Sequence, residues 1–193
     1  MHQQLIIEKI SSILAATEHD YDRQLVGLVD EANGIFLAGA GRSALVCKNF
    51  AMRLMHSGYK VNLVGETVTP SIQEGDLLIV ISGSGETQQL AAFTQKAKDV
   101  GAKAILISSK SESTIGNMVD SVFNIGRPDM YEKVFGMPMG SVFELSTLIF
   151  LEAVVSYIIH ERNLTEEEMR AVHANMERWP FNGNTKRTKH KDT

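Results

Sequence analysis

The chain has 193 residues, 44% of them hydrophobic, which is enough to bury one core and too few for two ordinary enzyme domains. Charged residues make up 22%, with 23 acidic against 19 basic, and a net charge of -4 supplies no general attraction for nucleic acid. A single cysteine, Cys47, excludes an internal disulfide; it sits among Leu45, Val46 and Phe50 as a small buried hydrophobe would, and fits a reducing cytoplasm.

Residues 1–32 read as two helices, with Leu5, Ile6, Ile10, Ile13 and Leu14 at helical spacing, then Leu25, Val26, Leu28 and Val29 after a polar break. The opening MHQQLIIEKISS has no basic start followed by a long apolar run, so neither a signal nor a transit peptide is expected. From Gly34 onward, short apolar runs at about 34–39, 60–64, 76–81, 103–108 and 121–125 alternate with helical segments such as 42–57 and 87–100. Unbroken apolar strands between helices predict a five-stranded parallel sheet covered on both faces: an α/β protein, a three-layer α/β/α sandwich of doubly wound, flavodoxin-like type with added N- and C-terminal helices. After the loop RPDMYEKVFGMPMG, a helix from Ser141 to about His160 is apolar on nearly every side, and the expected cover is another subunit. Its greasiest stretch, Leu145 to Ile159, is interrupted by Glu152 and is shorter than the roughly 20 residues of a membrane span. No membrane association is expected. A last helix over TEEEMRAVHANMERW opens with Thr165 as N-cap and Glu168 three positions on. The chain therefore divides into one domain over 1–180 (N-terminal helices 1–32, sheet core 34–126, C-terminal helices 141–179) and a basic, flexible tail at 181–193.

Two glycine loops carry chemistry. GAGRSA (39–44) follows a strand and opens a helix with the spacing of a dinucleotide fingerprint, and Glu66 ends the second strand near the ribose position. The fingerprint is short, and no second domain is present to hold a hydride acceptor. SGSGET (82–87) repeats the arrangement at the third strand. Helix N-termini offer unpaired N–H groups to anions, and Ser82, Ser84 and Thr87 add hydroxyls. One residue suffices to cap a helix. Four polar side chains within six positions, matched by Ser43 in the first loop, exceed that need and resemble a cradle for a terminal phosphate. It is not a Walker loop, since no Gly-Lys-Ser/Thr follows and no lysine lies near.

Glu144 sits one turn into the most apolar helix. A carboxylate withdrawn from water holds its proton to higher pH, which suits a general base near neutrality; the bland alternative is a glutamate stabilised by the helix dipole. Glu86 is either a dipole partner or a polar group at the pocket rim. Glu152, about 80° round the helix from Glu144, is expected in an interface ion pair. Of the histidines, His2, His19, His160 and His190 read as solvated. His56 reads as a structural cation at a helix end, and composition alone leaves His173 open between surface and site.

The stretches GAGRSALVCKNFAMRLMHSG, VGETVTPSI, LLIVISGSGET, PMGSVFELSTLIFLEAVV and HANMERW together resemble the sugar isomerase (SIS) domain family and, within it, the 6-phospho-3-hexuloisomerases; they span most of residues 35–179. The resemblance implies a metal- and cofactor-independent isomerase of a phosphorylated sugar. It would interconvert D-arabino-3-hexulose 6-phosphate and fructose 6-phosphate through a cis-enediol, in formaldehyde fixation by the ribulose monophosphate route. A homotetramer is implied as well. Position by position, Ser43, Ser82, Ser84 and Thr87 would hold the phosphate with help from the amides of Gly83 and Gly85, and Glu86 would be a second polar contact. Glu144 would be the base, Arg42 would stabilise enediolate charge, and His173 would reach the site of a neighbouring subunit and assist ring opening or oxygen proton transfer.

Two rivals remain at this stage. A sister isomerase would act on arabinose 5-phosphate or a heptose phosphate. A non-catalytic sugar-phosphate sensor would need the cradle but not Glu144, and would usually carry a DNA-binding module that 33 N-terminal residues cannot supply.

Overall fold

The computed structural model describes residues 1–132 and 136–175. Five strands, β1 (Ile35–Gly39), β2 (Val61–Leu63), β3 (Leu77–Ile81), β4 (Lys103–Ser108) and β5 (Ser121–Asn124), form one sheet in the order β2-β1-β3-β4-β5. All four pairings are parallel. The helices are α1 (His2–Ala15), α2 (Tyr21–Glu31), α3 (Arg42–His56), α4 (Gln88–Asp99), α5 (Ser141–Arg162) and α6 (Glu166–Ala171).

The unbroken apolar strands follow from burial on both faces. Alternate residues separate cleanly. Ile35, Leu37, Leu77, Ile79, Ile81, Ile105, Ile107 and Phe123 join Ile13 of α1, Leu25 of α2, Phe50 and Leu54 of α3 and Leu151 of α5 in one core. Phe36, Ala38, Leu78, Val80, Ala104 and Leu106 face the opposite way, onto Leu90 and Ala97 of α4 and onto Ile115. The sandwich is thus asymmetric, with α4 as the helix of the second face. Each wholly buried aliphatic or aromatic side chain contributes roughly 1.5–3 kcal/mol.

The expected elements are present, with boundaries shifted by a residue or two. Three larger differences have physical causes. First, α5 as a whole, 22 residues that run past the greasiest stretch at both ends, is long and apolar enough to cross a membrane by length and composition. It is instead a core helix, packed on α1, α2 and α3 with Phe143, Phe150, Val154 and Ile158 buried. Second, α1 and α2 supply much of the cover that the sequence reading assigned to another subunit, leaving Ile149, Ala153, Ser156 and His160 as its exposed stripe. Third, the last helix keeps its capping box, Thr165 with Glu168, but ends at Ala171, so His173 lies beyond it. Residues 176–179 of that segment and the basic tail fall outside the described residues.

The chain order places a switch point between β1 and β3, because α3 leaves β1 toward one face and α4 leaves β3 toward the other. In open α/β sheets the crevice outside the carboxyl ends of such strands accepts ligands.

Candidate active site

Both glycine loops start at this crevice, where Gly39 and Ile81 are register partners. Gly39 is required by close packing of α3 on β1: a Cβ there would lie 2.8 Å from Cys47 Sγ and 2.9 Å from the Ser43 carbonyl carbon. Gly41 turns the chain with φ 57°, and α3 begins at Arg42. The second loop turns at Gly85, φ 66°.

A cavity of about 990 Å³ opens between the loops, the end of β4 and the start of α5. Ser43, Ser82, Gly83, Ser84, Thr87 and Glu144 all line it. The hydroxyls do not cap α4. Thr87 occupies the N-cap position without a side-chain capping bond. Ser82 Oγ accepts from the Gly85 N–H at 3.2 Å, and Ser84 Oγ accepts from the Glu86 N–H at 3.2 Å. Those bonds brace the loop and leave each serine O–H free to donate, alongside the first amides of α4.

Two of the expected contact residues lie outside this lining. Gly85 is buried and does not line the cavity; its N–H is taken by Ser82, and its carbonyl accepts from Ile115 N–H at 3.0 Å. Glu86 also lies outside the lining, because its carboxylate accepts from Thr114 N–H at 3.1 Å and from the Thr114 hydroxyl. These bonds, hydroxyl first, hold the exposed Glu86 carboxyl below the usual carboxylate range.

Glu144 is set in the first turn of α5 with its side chain 12% exposed. A Cβ on Gly140 would approach its Oε1 to 2.9 Å. Expected in an apolar setting, it instead faces the cavity with an ionic partner, since the Arg42 Nε–H donates to Glu144 Oε2. Arg42 is 65% exposed and reaches the site through that pair. Two carboxylate edges thereby acquire different roles: Oε2 is held by the guanidinium, and Oε1 sits above Gly140.

His173 lies elsewhere. It lines a second cavity of about 800 Å³ with Asn49, Arg53, His56, Met169 and Arg170. Its ring stacks on that of His56 at 5.0 Å between centroids and 22° between planes. Burial, then the nearby His173 and Arg53, hold His56 below the ordinary imidazole range. His56 and Arg42 are at opposite ends of α3, about 20 Å apart along its axis, so within one chain His173 does not meet Glu144. Arg53 pairs with Glu152 at 3.2 Å inside the chain, where an interface pair was expected.

The remaining expectations are also located. Burial pushes the Cys47 thiol up to about 12, far from an activated nucleophile. Glu66 pairs with Lys48 at 2.8 Å, and the strand order 2-1-3-4-5 is that of flavodoxin-like sheets rather than of dinucleotide domains. Among the described residues no three His, Cys, Asp or Glu side chains gather as a metal site.

Sequence reasoning missed Ser109 and Lys110, which line the cavity from the end of β4, and Tyr131, Met137 and Phe143 on its far wall. The expectation that no lysine lies near is overturned by Lys110, which is distant from the SGSGET loop along the chain but lines the same cavity. A usable signal was available, since Ser108, Ser109 and Lys110 end a buried parallel strand, where such sheets place ligand contacts.

Comparison with known proteins places the chain in a family. Residues 28–155 match the SIS domain family. The chain is 51% identical over 178 residues to a 3-hexulose-6-phosphate isomerase of Methylomonas aminofaciens, covering 91% of this chain and 98% of that one. It is 38% identical over 178 residues to a 3-hexulose-6-phosphate isomerase of Bacillus subtilis strain 168, covering 89% and 95%. A solved structure of a hypothetical protein from Methanococcus jannaschii, for which a 3-hexulose-6-phosphate isomerase function was inferred, has a TM-score of 0.81 at 34% identity and covers 91% and 98%.

Proposed function

Because the chain belongs to the SIS domain family, we propose that it is a 6-phospho-3-hexuloisomerase, interconverting D-arabino-3-hexulose 6-phosphate and fructose 6-phosphate. The likeness to 3-hexulose-6-phosphate isomerases over nearly the whole chain selects the substrate. The observation that carries the chemistry is one carboxylate, Glu144, held by Arg42 at the wall of a hydroxyl-lined cavity.

Moving a carbonyl from C3 to C2 requires a phosphate anchor, a base that keeps its proton from water, and stabilisation of an enediolate. Ser43, Ser82, Ser84 and Thr87, with the amide of Gly83 and the start of α4, anchor the phosphate. Glu144 takes the proton from C2, giving a cis-enediolate across C2 and C3. Arg42 faces the developing oxyanion and stabilises it electrostatically. Glu144 returns the proton to C3, while the O2 hydroxyl proton passes to O3. The net change is one hydrogen moved on carbon and one on oxygen, with no electron gained or lost. The reaction itself calls for neither a metal nor a redox cofactor.

His173 serves the oxygen proton transfer in the cavity of a neighbouring copy, in a homotetramer. The chain works in the cytoplasm, in formaldehyde fixation by the ribulose monophosphate route. What supports the assembly is the distance between His173 and Glu144 within one chain, together with exposed apolar side chains on α3 and α5, among them Leu45, Met52 and Ile149.

A coupled assay tests the function. Formaldehyde, ribulose 5-phosphate and a hexulose phosphate synthase are supplied, and fructose 6-phosphate is followed with and without the protein. Formation that depends on the protein is expected. No formation, with fructose 6-phosphate still raising the melting temperature, would replace this function with sensing or with isomerisation of another phosphosugar.

A further inference from the structure

We propose that Lys110 reads the charge of the substrate phosphate, and that Glu86 is its positioning residue, clasping the 109–116 loop against the 82–87 loop. The inference rests on the reading of this cavity as a phosphosugar site and deepens it by separating charge recognition from hydroxyl recognition.

The cavity poses an electrostatic problem. Its phosphate cradle consists of neutral donors, the hydroxyls of Ser43, Ser82, Ser84 and Thr87, while the walls also carry the carboxylates of Glu132 and Glu144. Arg42 is already engaged with Glu144. A phosphate ester is close to dianionic at neutral pH, so neutral donors alone leave its charge unmatched beside two carboxylates. Among the described lining residues, Lys110 is the cation. A lysine ammonium is a compact point charge suited to phosphate.

The loop that carries Lys110 is tied to the cradle on both sides of it. Before Lys110, the Ser109 hydroxyl donates to the Gly83 carbonyl at 2.7 Å. Beyond it, Glu86 receives the Thr114 N–H at 3.1 Å and the Thr114 hydroxyl, and Ile115 N–H donates to the Gly85 carbonyl at 3.0 Å. The two loops are packed tightly enough that a Cβ on Gly85 would fall 2.1 Å from Ser113 Oγ. Glu86 therefore holds the neighbouring loop through the Thr114 N–H and hydroxyl, and its carboxylate also lies close enough to Lys110 to feel that charge directly, which explains a carboxylate in this loop that does not line the cavity.

The test is calorimetric titration of the full chain with inorganic phosphate and with fructose 6-phosphate, at low and high salt, alongside steady-state turnover. Lys110→Met is expected to weaken both ligands by about tenfold to a hundredfold, to flatten the salt dependence, and to raise KM while kcat stays within about threefold. Glu86→Ala is expected to weaken phosphate in the same direction, Glu86→Gln to restore it, since the amide oxygen can accept from the Thr114 N–H and the amide NH2 can donate to the Thr114 hydroxyl oxygen, and Glu86→Ala to add nothing in a Lys110→Met background. Unchanged phosphate affinity in Lys110→Met overturns the proposal, as do effects of the two positions that simply multiply. Lys110 is exposed, so that variant keeps the test decisive even where Glu86→Ala fails to fold. Wild-type protein that binds phosphate through Lys110 yet turns over no hexulose phosphate would remove the isomerase function and leave this inference standing.

Discussion

The guanidinium of Arg42, the first residue of α3, donates to the carboxylate of Glu144, in the first turn of α5, across 102 positions of chain. The pair joins the helix that follows β1 to the helix whose first turn lines the cavity, and it engages one of the two carboxylate oxygens.

Glu144→Gln keeps the shape and loses the proton acceptor. Turnover is expected to fall by about a thousandfold, with fructose 6-phosphate affinity changed little, as measured by steady-state kinetics and calorimetry. Wild-type turnover in this variant would remove Glu144 as the base.

Arg42→Met removes charge from the oxyanion side. We expect kcat to drop by roughly a hundredfold or more, with Arg42→Lys intermediate because it keeps the charge and loses the planar donor fork. A change confined to KM would assign Arg42 to binding alone.

Ser84→Ala should weaken fructose 6-phosphate by roughly tenfold or more and leave free fructose unaffected. Equal losses for both sugars would reduce Ser84 Oγ to a brace for the Glu86 N–H. The melting temperature separates loop damage from lost ligand contact.

His56 is buried, stacked on His173 and near Arg53, and its imidazole is held below the ordinary value of about 6.5. The unfolded chain then binds more protons than the folded one as pH falls, so this contribution is present above about pH 6.5 and is lost as pH falls toward and through the lower folded value. Melting temperatures of the wild type should therefore drop more between pH 7.5 and 5.5 than those of His56→Phe, which keeps a ring but cannot titrate. Parallel pH profiles would rule His56 out as the titrating group.

Gly39→Ala forces a methyl against Cys47 Sγ and the backbone of Ser43, at 2.8 and 2.9 Å. Overpacking of this kind costs about 1–3 kcal/mol, measured as a lowered urea midpoint with an unchanged m-value. Undiminished stability would mean that α3 can move away from β1.

The sheet and the position of the SGSGET loop at a strand end were legible because their causes are local. Leu77–Ile81 reads as five apolar residues in a row since both sheet faces are covered, and SGSGET reads as an anion loop since turn, hydroxyls and helix start lie within six positions. Glu144 stood out as a carboxylate in a greasy helix and Arg42 as a loop cation, each by itself; their pairing is a long-range contact that no local pattern encodes. The same holds for Glu86, whose partner Thr114 comes from the loop after the next strand, and for Lys110, which reaches the cavity only because β4 lies beside β3. That α1 and α2 cover part of α5 was not legible for this reason too, since amphipathic periodicity announces that α1 and α2 must pack on something and is silent about what. Apolar pattern and turn chemistry, acting over a few residues, determined the elements and the two glycine turns. Parallel strand order, which brings distant strand ends side by side, decided which charged groups meet.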